Sequence, residues 1–384
     1  MRQTIRITAI LLLNTLVILL VFELLARAIL WRSPAGQSTT PPGFGFSAGG
    51  YGDLLPNLDT VEKLMPTRPY HLQTNSAGLR NSEEVRDDAF RILVVGDSFV
   101  YGMYVHNRET FPARLEEQLN GRLETRVQVL NAGVPGYTIA DEMDYLNEKG
   151  LALKPDLVIL GFYTNDIFDF YPIMREYFSR PVMLGFAPPT ARPPSALQVF
   201  LRDNLALYNL WRRLRGEYQE AQIEAEINRV TPTVPGLHRT YQDLTFLKPD
   251  APEFAGEWQA YEDALRETLA LLAERGIPAA MVAWPDLSQM PTDGGLPDAP
   301  QRMLAHVTAE TGTLFLDLLP VYRAAGDITS LYLMYYDPDA PVDPNAPDAA
   351  VLRYSGDGHP SAYGHQVAAQ AMAELLIQNG LVPR

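Results

Sequence analysis

Arg91-Ile-Leu-Val-Val-Gly-Asp-Ser-Phe99 is a short apolar strand that runs straight into a turn. A continuous apolar run bounded by turn residues reads as a strand buried on both faces, the habit of a parallel sheet flanked by helices. Working outward, the same pattern recurs. Strands are predicted over 127–130, ending in Asn131-Ala-Gly-Val-Pro-Gly136, and over 156–161, ending in Phe162-Tyr-Thr-Asn-Asp166. Two more follow at 277–283 and 314–318. Between them lie helical patterns at 110–122, where Phe111, Leu115 and Leu119 fall four residues apart, and at 141–151, 257–275 and 300–310. A closing helix is expected over 361–376. Strands alternating with helices at this spacing imply right-handed crossovers and an α/β fold with a parallel sheet, whose strand ends open on one shared crevice.

The alternation breaks in three places. Residues 33–70 form an expected linker, rich in Gly, Pro, Ser and Thr over 33–56; such composition buries too little apolar surface to order itself. An insertion occupies about 167–252 and carries a long helical pattern over 196–230, with Leu197, Leu201, Leu205 and Tyr208 on one face. An Asp/Pro-rich surface loop is expected over 335–348. The main domain is placed at 71–384, with the insertion inside it.

Before the linker, Arg2 and Arg6 precede sixteen residues, 7–22, without a charge. At 1.5 Å per residue this run spans roughly 24 Å, short of the ~30 Å hydrocarbon core. Apolar character resumes through Ile29-Leu30-Trp31, and Glu23 and Arg27 can snorkel to the interface. Residues 1–32 are therefore expected to form one transmembrane anchor, with the main domain facing the periplasm or the outside. The competing reading is a signal peptide cut after Ala26-Arg27-Ala28.

A formal charge of −15 disfavours nucleic acid as a partner. The chain has no cysteine, which excludes disulfides, thiolate metal sites and a cysteine nucleophile. His359 and His365, six residues apart without a carboxylate cluster, make a weak metal case.

Chemistry concentrates at the strand ends. Acyl transfer needs a nucleophile, a base to take its proton and donors aimed at the developing oxyanion. Ser98 is the candidate nucleophile, His359 the base, and Asp357 the acid that holds the imidazole tautomer. The Ser98 and Gly136 N–H groups and the Asn165 amide are the candidate oxyanion donors. Asp97 is expected to be structural, bonding turn amides. Each motif alone has an ordinary reading, as a turn glycine, a helix cap or a loop histidine; their order and their common position at strand ends favour catalysis. No Gly-x-Ser-x-Gly elbow surrounds Ser98, and Gly133-Val-Pro-Gly136 has neither the spacing nor the lysine of a phosphate loop.

These residues resemble the SGNH or GDSL hydrolases, whose blocks carry Ser, Gly, Asn and His in that order. Gly96-Asp97-Ser98-Phe99 is similar to the first block, Asn131-Ala-Gly-Val-Pro-Gly136 to the second, Asn165-Asp166 to the third and Asp357-Gly-His359-Pro360 to the fifth. The resemblance implies a flavodoxin-like three-layer α/β/α sandwich and esterase, lipase or acyltransferase activity without a metal or cofactor. The chain departs from the pattern twice. Tyr163 stands where the third block usually carries glycine, and Gly356 stands three residues before His359, where the acid usually lies. The arrangement also resembles membrane-anchored bacterial members, with Asn75-Ser-Ala-Gly-Leu-Arg80 ahead of the first block.

The expected function is that of a serine esterase removing acyl groups, O-acetyl among them, from a cell-envelope glycan or lipid. The alternatives are O-acyl transfer onto a surface polysaccharide and a non-catalytic envelope binding protein.

Overall fold

The computed structural model describes residues 2–32, 44–46, 52–62, 69–170, 255–292, 298–336 and 354–383, with part of 197–214. Its centre is a five-stranded parallel sheet of β5 (Phe90–Gly96), β6 (Val127–Gly133), β7 (Leu157–Phe162), β8 (Ala279–Ala283) and β9 (Leu314–Asp317). Strand order is β6-β5-β7-β8-β9 with every pair parallel, so the chain reverses its direction of winding beside β5. That is the flavodoxin order, with its crevice at the carboxyl end of β5 where Ser98 stands. β6 and β7 are buried at every position, which explains the unbroken apolar run of β7.

Helices cover both faces. α3 (Phe111–Asn120), α7 (Leu318–Ala325) and α9 (Ala362–Gln378) close one side over Ile92, Val94, Val129 and Ile159. α4 (Ile139–Glu148), α5 (Ala255–Glu274) and α6 (Ala299–Thr311) close the other over Leu93, Val95, Leu130 and Leu160. Alternate residues of a strand face opposite layers, so one strand feeds both cores. The three-layer α/β/α sandwich expected from the sequence is present.

The periphery corrects the expectations at several points. Within the expected linker, β1 (Phe44–Phe46) pairs with β2 (Gly52–Leu54), and β3 (Asp59–Glu62) pairs with β4 (Tyr70–Gln73). Leu54, Tyr70 and Leu72 join the main core, so folded structure begins before residue 71. Isolated apolar residues in polar surroundings hid this, because the surface they bury belongs to elements distant in sequence. The last strand is not 314–318, nor is 335 onward a loop from its start. β10 (Tyr332–Tyr336) and β11 (Tyr354–Pro360) form an antiparallel pair outside the main sheet, preceded by α8 (Ile328–Leu331). The rest of the expected loop lies outside the described residues.

β6 is an edge strand, and its exposed ladder is covered by the segment after β4. Arg80 N–H bonds to the Asn131 carbonyl at 3.0 Å, and the Asn81 side chain bridges the Asn131 N–H (2.9 Å) and the Val129 carbonyl (2.8 Å). Covering an edge removes unpaired donors and acceptors that would otherwise recruit another strand. The Asn75 carboxamide oxygen accepts from the Ala77 and Leu79 N–H groups, both at 3.1 Å, and so shapes the turn that delivers Arg80.

Arg2–Arg32 is one helix, α1. Among the described residues no helix is long and apolar enough to cross a membrane, several α1 side chains lying outside them. Glu23 and Arg27, expected to be interfacial flanks, instead have protein partners. The Glu23 carboxylate accepts the Ala206 and Leu207 N–H groups at 2.9 Å, and Arg27 donates to the Asn204 carbonyl at 3.1 Å. The described residues of 197–214 are helical except Leu205; Leu197, Phe200, Trp211 and Leu214 are exposed there. The remainder of the expected 196–230 helix lies outside the described residues.

Candidate active site

β5 ends at Gly96, and the chain turns at once into the short helix α2 (Ser98–Tyr101). Asp97 caps it, its Oδ1 accepting the Phe99 N–H at 2.9 Å. The turn sits tightly on its neighbours: a Cβ on Gly133 would fall 2.2 Å from the Tyr101 backbone nitrogen. Glycine at the end of β6 is therefore required for α2 to approach.

His359 arrives from β11. Its Nε2 lies 2.8 Å from Ser98 Oγ, and its Nδ1 lies 2.5 Å from Asp357 Oδ1. The same Oδ1 accepts the His359 N–H at 2.9 Å. Phe99 and Tyr104 flank the imidazole, with ring centroids 5.1 and 5.7 Å away. Ser98 and, more than 250 residues further along the chain, His359 and Asp357 thus form one hydrogen-bonded line.

The short Asp-x-His spacing works because β11 bulges. Tyr332 pairs with Pro360 while the next residue, Leu333, pairs with Asp357, so Gly358 and His359 stand outside the ladder. The bulge folds His359 back onto the acid two residues before it. Gly356 cannot serve as the acid's position here. Its φ is +129°, and a Cβ would meet the Leu333 carbonyl oxygen at 2.5 Å.

Gly136 adopts φ +82°, and its N–H donates to no carbonyl among the described residues. Asn165 Nδ2 donates to the Tyr137 carbonyl at 3.0 Å, tying the loop after β7 to that after β6. One amide hydrogen remains for a ligand. Tyr163 stacks on Phe99 with centroids 3.9 Å apart, and its hydroxyl donates to Asp286 at 3.0 Å. The glycine of this block has moved to Gly161, where a Cβ would strike the Val100 side chain at 2.4 Å.

Burial sets the local electrostatics. Asp97 is wholly buried, which pushes its carboxyl up to about 6, and its hydrogen bonds to the turn only partly offset this. Burial likewise, and then the Asp97 charge, hold the Glu142 carboxyl well above its ordinary value. Asp357 goes the other way: burial raises it, but the His359 ring, the His359 N–H and the Tyr104 hydroxyl together bring it below the usual carboxylate range. Burial drives His365 down to about 3, and its Nδ1 accepts the Phe111 N–H at 3.2 Å, so it is a neutral structural residue. Among the described residues no cluster of His, Cys, Asp or Glu could hold a metal.

A GDSL-like lipase/acylhydrolase family model matches residues 94–367, more than two thirds of the sequence. The chain belongs to this family. Its activity is therefore that of a GDSL-type ester hydrolase acting on an acyl ester. Among solved structures, this GDSL hydrolase is similar to a putative lipolytic protein of the G-D-S-L family from Desulfitobacterium hafniense (13% identity, 75% of this chain and 99% of that one, TM-score 0.38). It is also similar to an alpha/beta hydrolase enzyme from the metagenome of Lake Arreo (16%, 78% and 100%, TM-score 0.41). A third likeness is to a catalytic mutant of an acetylxylan esterase from Geobacillus stearothermophilus (15%, 76% and 96%, TM-score 0.40). Among curated proteins none matches the sequence.

Three residues of the site were given no role by the sequence. Tyr104 and Glu142 reach it only through the fold. Arg80 belonged to a recognisable motif whose role sequence alone did not supply. In the structure its buried guanidinium donates to the carbonyls of Tyr101 (2.7 Å), Gly102 and Val105 (both 2.6 Å), clamping the loop that follows the nucleophile.

Proposed function

We propose that this GDSL hydrolase cleaves acyl esters, O-acetyl groups among them, of a cell-envelope glycan or lipid through a Ser98 acyl-enzyme. The observation that carries the reading is the unbroken line from Ser98 Oγ through His359 to Asp357. Ser98 Oγ attacks the ester carbonyl carbon as His359 Nε2 takes its proton; Asp357 holds the imidazole by Nδ1 and faces the positive charge that develops there. The carbonyl electron pair moves onto oxygen, where the Gly136 N–H, the Asn165 amide and the Ser98 N–H are its donors. Collapse expels the alcohol, which leaves with the proton from His359, and the acyl group stays on Ser98. Water then repeats the sequence, releasing the acid and restoring the serine.

The envelope context is supported by α1. Leu13, Val17, Ile18, Leu19, Leu20 and Phe22 are exposed on it, an apolar surface of the kind that lipid covers. In this reading α1 is a single-pass anchor in the cytoplasmic membrane, and the sandwich faces the periplasm or the outside.

The test is labelling of the full chain in membranes with a fluorophosphonate, together with turnover of an acetylated glycan. Labelling at Ser98, its loss in Ser98→Ala, and free acetate as product are expected. Equal turnover by Ser98→Ala overturns the mechanism. Acetate retained on an added glycan acceptor replaces hydrolysis by transfer.

A further inference from the structure

We propose that Tyr163 is a specificity-determining residue of this site, its ring walling the acyl side of Ser98 so that acetyl and similarly short esters fit and long-chain acyl esters do not. The inference rests on the Ser98 acyl-enzyme reading above and narrows the acyl group that this enzyme transfers to water.

The chemistry says where an acyl chain must lie. At the tetrahedral carbon the oxyanion turns to its donors, Gly136 and Asn165 among them, and the alcohol oxygen turns to His359 Nε2, which returns a proton to it. The acyl substituent takes the direction left over, away from the imidazole and into the crevice beside the nucleophile. Two aromatic residues are built beside these groups: Phe99, next along the chain from Ser98, and Tyr163, two residues before Asn165.

Their rings fill that space. Tyr163 is half-buried and lies face to face on the buried Phe99, with centroids 3.9 Å and planes 22° apart. Phe99 rests in turn on Trp284 at 6.1 Å and meets the His359 imidazole at 5.1 Å. Truncating Tyr163 to a methyl group would uncover Phe99 and open a slot about the width of an aromatic ring close to the nucleophile.

The wall is also fixed. The Tyr163 hydroxyl donates to Asp286 Oδ2 at 3.0 Å. Asp286 is itself held, its Oδ1 accepting the Ser288 N–H at 2.8 Å and its N–H donating to Gln289 Oε1 at 3.0 Å, so that it caps the 3-10 turn Leu287–Gln289. Leu287 closes the far end: its Cδ2 lies 3.1 Å from where a Cβ on Gly358 would stand, one residue before His359. Contacts therefore run from Tyr163 through Asp286 and Leu287 to the strand that carries the base. A ring pinned at its face and at its tip turns aside for a long acyl chain only by giving up the Phe99 stack and the Asp286 bond together, whereas an acetyl methyl asks for neither.

The experiment measures kcat/KM of the full chain on p-nitrophenyl acetate, butyrate and octanoate for the parent, Tyr163→Ala and Tyr163→Leu. The parent should favour acetate over octanoate by about a hundredfold or more, with butyrate between them. Tyr163→Ala should raise the octanoate-to-acetate ratio by about tenfold or more, since methylenes admitted to or refused by an apolar slot are worth that much. Tyr163→Leu keeps an apolar side chain on Phe99 but is shorter, and should raise the ratio by about threefold or more, which keeps the test open if Tyr163→Ala does not fold. A general loss of fold or of catalytic geometry lowers both rates and leaves the ratio where it was. A parent that cleaves octanoate as readily as acetate, or a ratio within twofold of the parent's in a folded variant, overturns the proposal; Ser98→Ala inactive in the same assays then leaves the acyl-enzyme reading standing. Full turnover by Ser98→Ala removes that reading, and this inference falls with it.

Discussion

Ser98 and His359 meet at 2.8 Å, yet β5–α2 and β10–β11, the regions that deliver them, are held in different ways. The nucleophile end is local: β5 is buried from Arg91 to Gly96, the turn is capped by its own Asp97, and α2 sits on glycines of neighbouring strands. The histidine end stands outside the sheet, on a two-stranded pair whose bulge sets the spacing of acid and base. One side of the chemistry is anchored by the main core. The other depends on one irregularity in a peripheral ladder.

That contrast predicts unequal sensitivity to small changes. Gly356→Ala should be the most damaging, because a methyl group there meets the Leu333 backbone at 2.5 Å on a φ of +129°. A loss of about a hundredfold or more in esterase kcat is expected, the order seen when a triad's orienting member is misplaced, with the parallel sheet retained by circular dichroism. Gly358→Ala, two residues on, meets only the end of the Leu287 side chain at 3.1 Å and should keep activity within a few fold. Equal effects at 356 and 358 would remove the special status given to the bulge.

Arg80→Met probes the clamp behind the nucleophile. It leaves the buried carbonyls of Tyr101, Gly102 and Val105 without their donor and should cost about 3 kcal/mol in urea unfolding. Its kcat should fall as well, since the loosened loop directly follows the nucleophile's helix. An Arg80→Met protein as stable as its parent would mean that the loop holds itself.

The smallest change tests the nucleophile end through pH. Folded Asp97 titrates at about 6 against an ordinary 3.8. A raised carboxyl favours the fold below its unfolded value, and that contribution is lost as pH rises through the folded one. Asp97→Asn, uncharged throughout, should therefore gain stability relative to the parent between pH 4 and pH 6, levelling off near about 3 kcal/mol. Unfolding in urea at pH 4.5 and 7.5 reads the difference; a gap independent of pH would show that Asp97 is not the buried charge it is taken to be.

The strands of the sheet, the order of Ser98, Gly136, Asn165 and His359, and the structural role of Asp97 were legible in the sequence, because apolar runs, turn residues and caps act over a few positions of chain. The pairing of β10 with β11 was not, since Tyr332–Tyr336 and Tyr354–Pro360 are short and flanked by Asp- and Pro-rich chain, and their partner choice is made across the residues 337–353 between them. For the same reason the Asn75 to Arg80 motif was visible but mute: its donors act on carbonyls some twenty residues away. The sequence by itself determined a parallel α/β layer structure and which residues are the candidates for the chemistry. Only the tertiary structure decided that Asp357, rather than the position of Gly356, reaches His359. The physical reason is range: burial and capping are local properties of a chain, whereas a bulge, a covered edge and a guanidinium on distant carbonyls exist only once separate segments are packed.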